Sequence, residues 1–599
     1  MAAFLRRVGA LGVAGGAAAV GYSVLGQTPP PTPVQLLDHA PTRKSQIDAL
    51  KNSKNEPFDI LIIGGGATGC GTALDAVSRG LKTALVDRED FASGTSSRST
   101  KLVHGGVRYL EKAFWNLDIG QLKLVFEALH ERKTLLLNAP HLTNPLPTMT
   151  PCYKWWEVPY YWAGMKAYDL VAGTSGLTMS RFITSNESAR LFPTLATIQA
   201  SGESLKGSIV YYDGQMNDSR VCIGIAKTAA LAGAKVANYT QVTSLVTGKD
   251  GKVCGAKVKD LETGKEYEIR AKAVVNCSGP FSDEIRALGD KNAQKMIMPS
   301  AGVHITLPDY YSPRNMGMIV PKTKDGRVVF MLPWLEATIA GTTDSSSDIT
   351  LLPTPSEEEV QFILDAISDY LTVRVRRSDV LSAWSGIRPL AVDPTAEDTA
   401  SASRDHVTII ESNNMVTAAG GKWTTYRKMA EDAVDAAITA GDLKPSRLCG
   451  THHLPLVGAR GYHSAMFTEI AQNYIVPHRP GAIDTQVAGH LATSYGDRAF
   501  SITKIAENRQ LGKRLVRGHP MIEAEVVYAI NEEYCRTAQD FLARRTRLAF
   551  LDTRAALEAL PRVVELMAQE LKWSGSRRRA EIRDAKKFLS TFQCEPKKA

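Results

Sequence analysis

The sequence predicts an α/β protein, and two observations support that fold class. Between residues 59 and 87 an apolar segment, a glycine turn, a helical segment and a second apolar segment follow one another. Two later apolar segments, ending near residues 279 and 420, also run into glycines and then into a helical pattern. Strands that alternate with helices are typical of a parallel sheet covered by helices.

The first unit, FDILIIGGGATGCGTALDAVSRGLKTALVD, predicts a dinucleotide-binding turn. Gly64 permits the tight turn, Gly66 lets the backbone approach a pyrophosphate, and Gly69 lets the helix pack close to the strand. The phosphates then lie at the positive N-terminus of the helix. Asp87 follows Gly69 by 18 residues and ends the second strand, where it accepts a hydrogen bond from a ribose hydroxyl. The alternative is an ordinary strand-to-helix turn, but all five features of the unit agree.

Two later segments favour FAD over NAD. AVVNCSGPFSDEI predicts a buried strand that ends at Gly279. NMVTAAGGKWTTYRKMAEDAVDAA predicts a strand that ends at Gly420 and Gly421, ahead of a helix from about Thr424. Two distant glycine turns suit a long ligand that lies across one sheet. Each segment alone is equally consistent with a plain strand-to-helix crossover.

The composition is that of a globular protein of several domains. The chain has 599 residues, of which 44% are hydrophobic and 22% charged. A formal net charge of +9 is compatible with nucleic acid, an anionic membrane or an anionic small substrate. The eight cysteines form no CxxC pair. We therefore expect separate thiols and no metal site.

The N-terminal segment, residues 1–55, is predicted to be a transit peptide followed by a proline-rich linker. It carries Arg6 and Arg7 and no acidic residue before Asp38. An uncharged stretch over residues 8–26 leaves a single anchor helix open as an alternative. The polar run after the prolines predicts little order, so folded structure is expected to begin near Phe58.

The order of the motifs resembles that of FAD-dependent glycerol-3-phosphate dehydrogenases, in particular the mitochondrial ones. After the dinucleotide turn, the matching segments are FASGTSSRSTKLVHGGVRYLE, VVNCSGPFSDEI, GVHITLP, IAGTTD, WSGIRPL, SRDH and AAGGKWTTYRKMAEDAV. The resemblance implies a Rossmann-like FAD-binding domain of the glutathione-reductase/D-amino-acid-oxidase type. It further implies an interleaved mixed-sheet substrate domain within residues 56–445 and a helical cap domain over residues 446–599.

The implied reaction is oxidation of sn-glycerol 3-phosphate to dihydroxyacetone phosphate, with hydride transfer to FAD. A phosphomonoester is largely dianionic at neutral pH and needs several fixed donors. The matched positions that would contact the substrate are Arg108, Tyr109, Arg388, Arg404 and Lys422. For each of these side chains, an ordinary solvated surface position is the alternative.

The same reaction needs a base for the hydroxyl proton, and a neutral histidine suits that role. His104 and His304 both lie in matched motifs, and the sequence leaves the choice open, with a preference for His104; Arg388 completes the predicted catalytic group. The family pattern adds polar contacts to FAD. The predicted cofactor residues are Gly64, Gly66, Gly69, Asp87, Ser96, Ser97, Ser99, Thr100, Gly279, Gly420, Gly421, Lys422 and Thr424.

The segment YKWWEVPYYWAGMKAYDLVAG predicts an interfacial helix at membrane headgroup depth. It holds Trp155, Trp156 and Trp162, three of the eight tryptophans, with flanking lysines. A buried aromatic cluster is the alternative. The resemblance implies an enzyme of the mitochondrial inner membrane that faces the intermembrane space and passes electrons to ubiquinone. No nucleic-acid partner is expected, and a homodimer is left open.

Two other functions remain compatible with the sequence. A glycerol-phosphate oxidase that uses oxygen would share almost every motif. A non-catalytic or RNA-modifying flavoprotein would keep Gly64, Gly66 and Gly69 but would not need Arg108, Arg388 and Lys422 together.

Overall fold

The computed structural model describes residues 34–106, 110, 113, 118–321, 327–392, 406–475 and 481–593. The strands are β1 (Phe58–Ile63), β2 (Thr83–Val86), β3 (Leu102–Val103), β4 (Thr143–Cys152), β5 (Arg181–Thr184), β6 (Gly207–Met216), β7 (Lys235–Ala237), β8 (Thr240–Thr247), β9 (Val253–Asp260), β10 (Glu266–Asn276), β11 (Ile297–Pro308), β12 (Gly317–Val320), β13 (Val329–Trp334), β14 (Ala337–Gly341), β15 (Ser345–Ser346), β16 (Ser382–Ala391), β17 (His406–Ile410) and β18 (Val416–Gly420).

The helices connect these strands and then form the C-terminal part of the chain. They are α1 (Arg43–Lys51), α2 (Ala67–Ser78), α3 (Ile119–Asn138), α4 (Glu157–Ala172), α5 (Ser185–Leu191), α6 (Asp218–Leu231), α7 (Ser282–Gly289), α8 (Glu357–Ser368), α9 (Tyr426–Gly441), α10 (Met466–Tyr474), α11 (Thr485–Tyr495), α12 (Ala499–Arg509), α13 (Glu523–Glu532), α14 (Leu548–Leu551), α15 (Thr553–Leu571) and α16 (Gly575–Ser590). A π-helix spans Asp540–Arg545. Within the described part of the chain, no helix combines the length and apolarity that a membrane crossing requires.

The first sheet is the predicted dinucleotide-binding sheet. Its strands follow the order β17-β18-β10-β1-β2-β7, and β18, β10, β1, β2 and β7 run parallel. The central strands are apolar on both faces, as β1 shows with five of its six residues buried, because both sides of the sheet are covered. Helix α1 and the β8–β9 hairpin cover one face. Helices α2, α6 and α9 contribute to the core on the other face. The predicted α/β class is confirmed.

The second sheet is mixed and consists of ten strands in the order β15-β11-β14-β13-β12-β4-β6-β3, with β16 on β11 and β5 on β6. Most neighbours are antiparallel, but β12 pairs with β4 in parallel. The C-terminal helices pack against this sheet, since Leu332, Ile339 and Trp384 belong to the same core cluster as α11 to α16. The cavity described below therefore lies between the two sheets, and the C-terminal helices form a third side of it.

One expectation about the N-terminal segment is wrong. Folded structure begins before Phe58, because α1 already packs against the first sheet. Its Ile47 and Leu50 are buried with 5% and 0% exposure. Arg43 donates to the carboxylate of Asp260 at 2.9 Å. Ile47 and Leu50 stand three residues apart, a spacing that is typical of one face of a helix. The polar residues around them made the segment look unstructured. The predicted transit peptide and alternative anchor, up to residue 33, lie outside the described residues.

Candidate active site

Three glycine turns lie side by side at the carboxyl end of the first sheet. Gly64 follows β1, Gly279 follows β10, and β18 ends at Gly420; these three strands are neighbours in the sheet. Gly64 has φ +111°, and a Cβ atom there would lie 2.5 Å from the carbonyl oxygen of Cys277. The first turn therefore packs directly on the second, and only glycine allows the approach.

The N-terminus of α2 lies against the first turn. A Cβ atom on Gly69 would lie 1.8 Å from the carbonyl oxygen of Gly64, so glycine here sets the distance between helix and strand. A Cβ atom on Gly66 would meet only the hydroxyl of Ser96, at 3.1 Å. The amide of Ala67 donates to that same hydroxyl at 2.9 Å. Gly69 thus serves packing, whereas Gly66 keeps the helix N-terminus accessible to an anion.

Asp87 closes the turn at the end of β2. Its carboxylate accepts hydrogen bonds from the backbone amides of Gly65 at 2.5 Å and Glu89 at 2.7 Å. Burial raises the pKa of Asp87 to about 6, although the two amide donors oppose the shift. The carboxylate thus sits at the position where a ribose hydroxyl would donate to it.

A cavity of about 820 Å³ runs past all three turns. This volume is in the range of cofactor pockets. Its course past the strand ends, the helix N-terminus and the Asp87 carboxylate together fit a dinucleotide with a central pyrophosphate. The predicted cofactor residues that line it are Gly64, Gly66, Asp87, Ser96, Gly279, Gly420, Gly421 and Lys422.

Other predicted cofactor residues lie behind the cavity wall. Ser99 donates to Asp218 at 2.8 Å, and the hydroxyl of Thr100 is 2.9 Å from the ring of His304. The hydroxyl of Ser97 donates to the carbonyl oxygen of Gly94 at 3.3 Å. Thr424 donates to the carbonyl oxygen of His104 at 3.3 Å. These hydroxyls hold the loops that form the wall, and contact between them and FAD stays a prediction.

His304 lies in β11 and is 3% exposed. Its ring stacks on Trp384 at 4.4 Å between ring centroids, and Nε2 is 2.9 Å from Thr100. Burial, followed by the positive charges of Lys101 and Arg388, moves the pKa of His304 well below its ordinary range. The ring is therefore neutral at physiological pH and takes up a further proton with difficulty.

His104 follows β3 in a more accessible position, with a side chain 26% exposed. Its Nδ1 accepts a hydrogen bond from the amide of Gly106 at 2.8 Å and lies 3.4 Å from Oδ2 of Asp213. Asp213 is fully buried in β6, and Oδ1 accepts from Arg132 at 2.7 Å and Tyr168 at 3.1 Å. In the described part of the chain Oδ2 has no hydrogen-bond partner, and its negative charge lies beside the imidazole ring of His104.

The predicted phosphate-binding cations are partly described. Arg388 lies in β16 with its side chain 33% exposed, and it contacts Asp344 at 3.0 Å and Thr342 at 3.0 Å. Its chain neighbours Ile387 and Pro389 line the cavity, as does Lys422. The predicted contacts of Arg108, Tyr109 and Arg404 lie outside the described residues.

Comparison with known proteins shows to which family the chain belongs. It matches the family model of FAD dependent oxidoreductases over residues 59–427 and that of the C-terminal domain of alpha-glycerophosphate oxidase over residues 449–578. It is 59% identical over 562 residues to a mitochondrial glycerol-3-phosphate dehydrogenase of Arabidopsis thaliana, with 92% of this chain and 89% of the relative covered. The chain belongs to the FAD-dependent mitochondrial glycerol-3-phosphate dehydrogenase family.

Further members of this glycerol-3-phosphate dehydrogenase family support the same assignment. The mitochondrial enzyme of Mus musculus is 53% identical over 564 residues, covering 92% of this chain and 75% of the relative. A solved glycerol-3-phosphate dehydrogenase from Bacillus halodurans, complexed with FAD, superimposes with a TM-score of 0.73 at 29% identity, covering 92% of this chain and 100% of that chain. The predicted family, the predicted fold and FAD as cofactor are confirmed.

The sequence interpretation missed two buried cations of this dehydrogenase-family chain. Arg98 lines the cavity with 5% exposure. Lys101 is fully buried and donates to Asp218 at 2.8 Å, beneath the ring of Trp384. Burial lowers the pKa of Lys101 to about 7 despite the Asp218 carboxylate. Both cations stand in the quoted SSRSTK run, but their partners come from distant segments, so local sequence gave no signal for their burial.

One group of metal-ligating side chains lies away from the cavity. Atoms of His130, Glu131 and His452 are within 4.8 Å of one another. Both carboxylate oxygens of Glu131 already accept from the buried guanidinium of Arg427, at 2.6 and 2.8 Å. The positive charge at this position opposes a metal ion, so the group carries no metal assignment in this family member.

Proposed function

We propose that this chain oxidises sn-glycerol 3-phosphate to dihydroxyacetone phosphate with FAD and passes the electrons to ubiquinone. One observation carries the proposal. Lys422 follows the third glycine turn directly in the cavity wall, and Arg388 stands between the wall residues Ile387 and Pro389. One cation in the wall of a flavin cavity and a second next to wall residues suit a dianionic phosphomonoester. Membership of the family supports the same substrate.

The cations orient the substrate. Arg388 and Lys422 hold the phosphate and thereby fix the position of the secondary alcohol, together with the predicted contacts of Arg108, Tyr109 and Arg404. FAD, when bound, supplies the hydride acceptor. Arg388 is held by Thr342 and Asp344 before substrate arrives, so little side-chain entropy is lost on binding.

His104 is the proposed base that takes the hydroxyl proton. Nδ1 of His104 lies 3.4 Å from Oδ2 of the buried Asp213 carboxylate, so a proton taken up by the ring lies next to a negative charge. The negative charge of Asp213 then stabilises the imidazolium. His304 is the weaker base, because its burial and its cationic neighbours disfavour a second proton. Its contact with Thr100 supports a role in holding the loop that follows β2.

The experiment is anaerobic reduction of the bound flavin by sn-glycerol 3-phosphate, followed by stopped-flow absorbance. His104→Ala should slow flavin bleaching by about 10²- to 10⁴-fold while substrate affinity stays near that of the unsubstituted protein. His304→Gln is the matched control and should slow bleaching far less. Bleaching at the normal rate in His104→Ala would move the base role away from His104. No bleaching in the unsubstituted protein would overturn the proposed function itself.

The electron acceptor separates two candidate functions. The C-terminal match to alpha-glycerophosphate oxidase favours oxygen as a second candidate, whereas the mitochondrial relatives favour a quinone. Reduced protein should transfer electrons to a short-chain ubiquinone much faster than to oxygen. The opposite order, with stoichiometric hydrogen peroxide, would establish the oxidase. A non-catalytic flavoprotein would retain FAD but fail to react with sn-glycerol 3-phosphate.

An aromatic surface supports membrane contact. We use this name for Trp155, Trp156, Trp162 and Leu170, on and beside α4. Their exposures are 71%, 61%, 46% and 64%. The ammonium group of Lys206 lies 5.5 Å from the ring of Trp155. Exposed tryptophans beside lysine suit the headgroup layer of a bilayer. We infer a protein held on the mitochondrial inner membrane that faces the intermembrane space, where this surface brings it to lipid-dissolved ubiquinone.

A further inference from the structure

Arg98 connects the cofactor cavity to the C-terminal helices. It lines the cavity, and its Nη1 donates to the carbonyl oxygen of Ser385 at 2.8 Å. Its guanidinium lies 5.1 Å from the ring centre of Phe592 and 5.8 Å from that of Phe550. Both rings belong to the C-terminal part of the chain. The charge is therefore held in place by that part while it faces the cavity.

Arg98 belongs to a buried group that we call the basic cluster: Arg98, Lys101, Arg544, Arg545 and Arg547. Within the described part of the chain, the other four cations each contact a carboxylate within 4.0 Å, on Asp90, Asp218 or Asp540. For Arg98 no carboxylate lies within that distance among the described residues. Four buried carboxylates face these five cations, because Arg545 also lies 3.6 Å from Glu533, which is shared with Arg220.

Arg98 is buried without a carboxylate partner among the described residues, and this position disfavours its charged form. Burial lowers the pKa of Arg98 to about 9, and the like charges of Arg544 and Arg547 add to the effect. An anion in the cavity would reverse that penalty, because charge-assisted hydrogen bonds are strong where water is excluded. FAD carries one permanent dianion, its pyrophosphate, whereas the oxidised flavin ring is neutral.

We propose that Arg98 forms an ion pair with the FAD pyrophosphate. The bound cofactor then links the C-terminal helices to the first sheet. Ser96 stands two residues before Arg98 and its hydroxyl lies at the N-terminus of α2, where the pyrophosphate is expected. Arg98 and Ser96 both line the cavity. The inference depends on the cofactor and is independent of the proposed substrate.

The test measures FAD affinity and release in the full-length protein. Arg98→Met should weaken FAD binding by about 10- to 100-fold, measured by flavin fluorescence on dilution of the holoenzyme. Arg98→Lys keeps the charge and should lose less than about tenfold. Lys587→Met is the matched control, since Lys587 also lines the cavity but is exposed, and it should bind FAD normally. Unchanged FAD affinity in Arg98→Met would overturn the proposal.

Two further measurements distinguish the pyrophosphate from the flavin ring. In flavin-free protein, ADP should raise Tm and riboflavin should not, and Arg98→Met should abolish the shift caused by ADP. The midpoint reduction potential of the bound flavin should be the same in Arg98→Met and the unsubstituted protein. A changed potential with an intact ADP shift would place Arg98 at the flavin ring and refute the pairing. If Arg98→Met does not fold, Arg98→Gln provides the same comparison.

Discussion

Gly66 and Gly69 lie three residues apart, yet the structure predicts different consequences for the same substitution. In Gly69→Ala the new methyl group would lie 1.8 Å from the carbonyl oxygen of Gly64. In Gly66→Ala it would meet only the hydroxyl of Ser96, at 3.1 Å. Gly66 also has φ −78°, a value that alanine adopts without strain. The two variants therefore separate packing of the helix from access to the cofactor.

The expected magnitudes follow from these distances. Moving the Gly69 contact from 1.8 Å to a tolerable 3.0 Å requires α2 to retreat by about 1.2 Å from the turn. The carbonyl oxygen of Gly64 and the new Cβ atom at residue 69 are both fixed to buried backbone, so neither can rotate away. The loss in free energy of unfolding is therefore at the upper end for overpacking, about 3 kcal/mol. For Gly66→Ala the flavin-free protein should stay within about 0.5 kcal/mol of the unsubstituted one. Its methyl group nevertheless occupies the side of the turn that faces the pyrophosphate.

The assay combines flavin content, from absorbance near 450 nm relative to protein, with the Tm of flavin-free protein. Gly69→Ala should lower both values, whereas Gly66→Ala should lower flavin content alone. Full FAD occupancy in purified Gly66→Ala would refute the placement of the pyrophosphate. A normal Tm for Gly69→Ala would show that the close contact between α2 and the turn does not contribute to stability.

Three other predictions follow from the site and the surface. FAD affinity should fall by up to about tenfold per pH unit below pH 6. Burial raises the pKa of Asp87 to about 6, so its carboxylate becomes protonated as the pH falls through that value. In Asp87→Asn, FAD affinity should not change over the same pH range. Arg388→Ala should raise the KM for sn-glycerol 3-phosphate while leaving the slow turnover of glycerol unchanged, and equal losses for both substrates would show that Arg388 does not contact the phosphate. Replacing the three tryptophans of the aromatic surface with serine should weaken sedimentation with anionic liposomes, and unchanged partitioning with a lowered Tm would show that the rings stabilise the fold instead.

The sequence predicted those parts of the molecule whose physical cause is local. The first turn, the strands that lead to Gly279 and Gly420, and Asp87 at the end of β2 all lie where the pattern placed them. Each depends on apolar runs and on glycines whose backbone requirement is intrinsic to the residue. The exposed tryptophans of α4 also agree with the interfacial prediction, although membrane contact itself stays a prediction.

What could not be predicted depends on pairing between distant segments. Asp213 reaches His104 only because β6 pairs with β3 in the second sheet. Arg98 is buried because rings from the C-terminal end of the chain cover it. The hydroxyls of Ser99 and Thr100 looked equivalent to that of Ser96 in sequence, yet tertiary packing directs them to Asp218 and His304. No local pattern encodes such partners.

The residues that line the cofactor cavity determine when FAD can bind during synthesis of the protein. The walls of the cavity include Ile63 near the start of the folded chain and Phe588 near the end. A nascent polypeptide therefore cannot assemble the complete binding site, and this site forms only after almost the whole chain has been synthesised. Flavin insertion becomes a late maturation step, at which chains that lack the C-terminal helices would fail to retain cofactor.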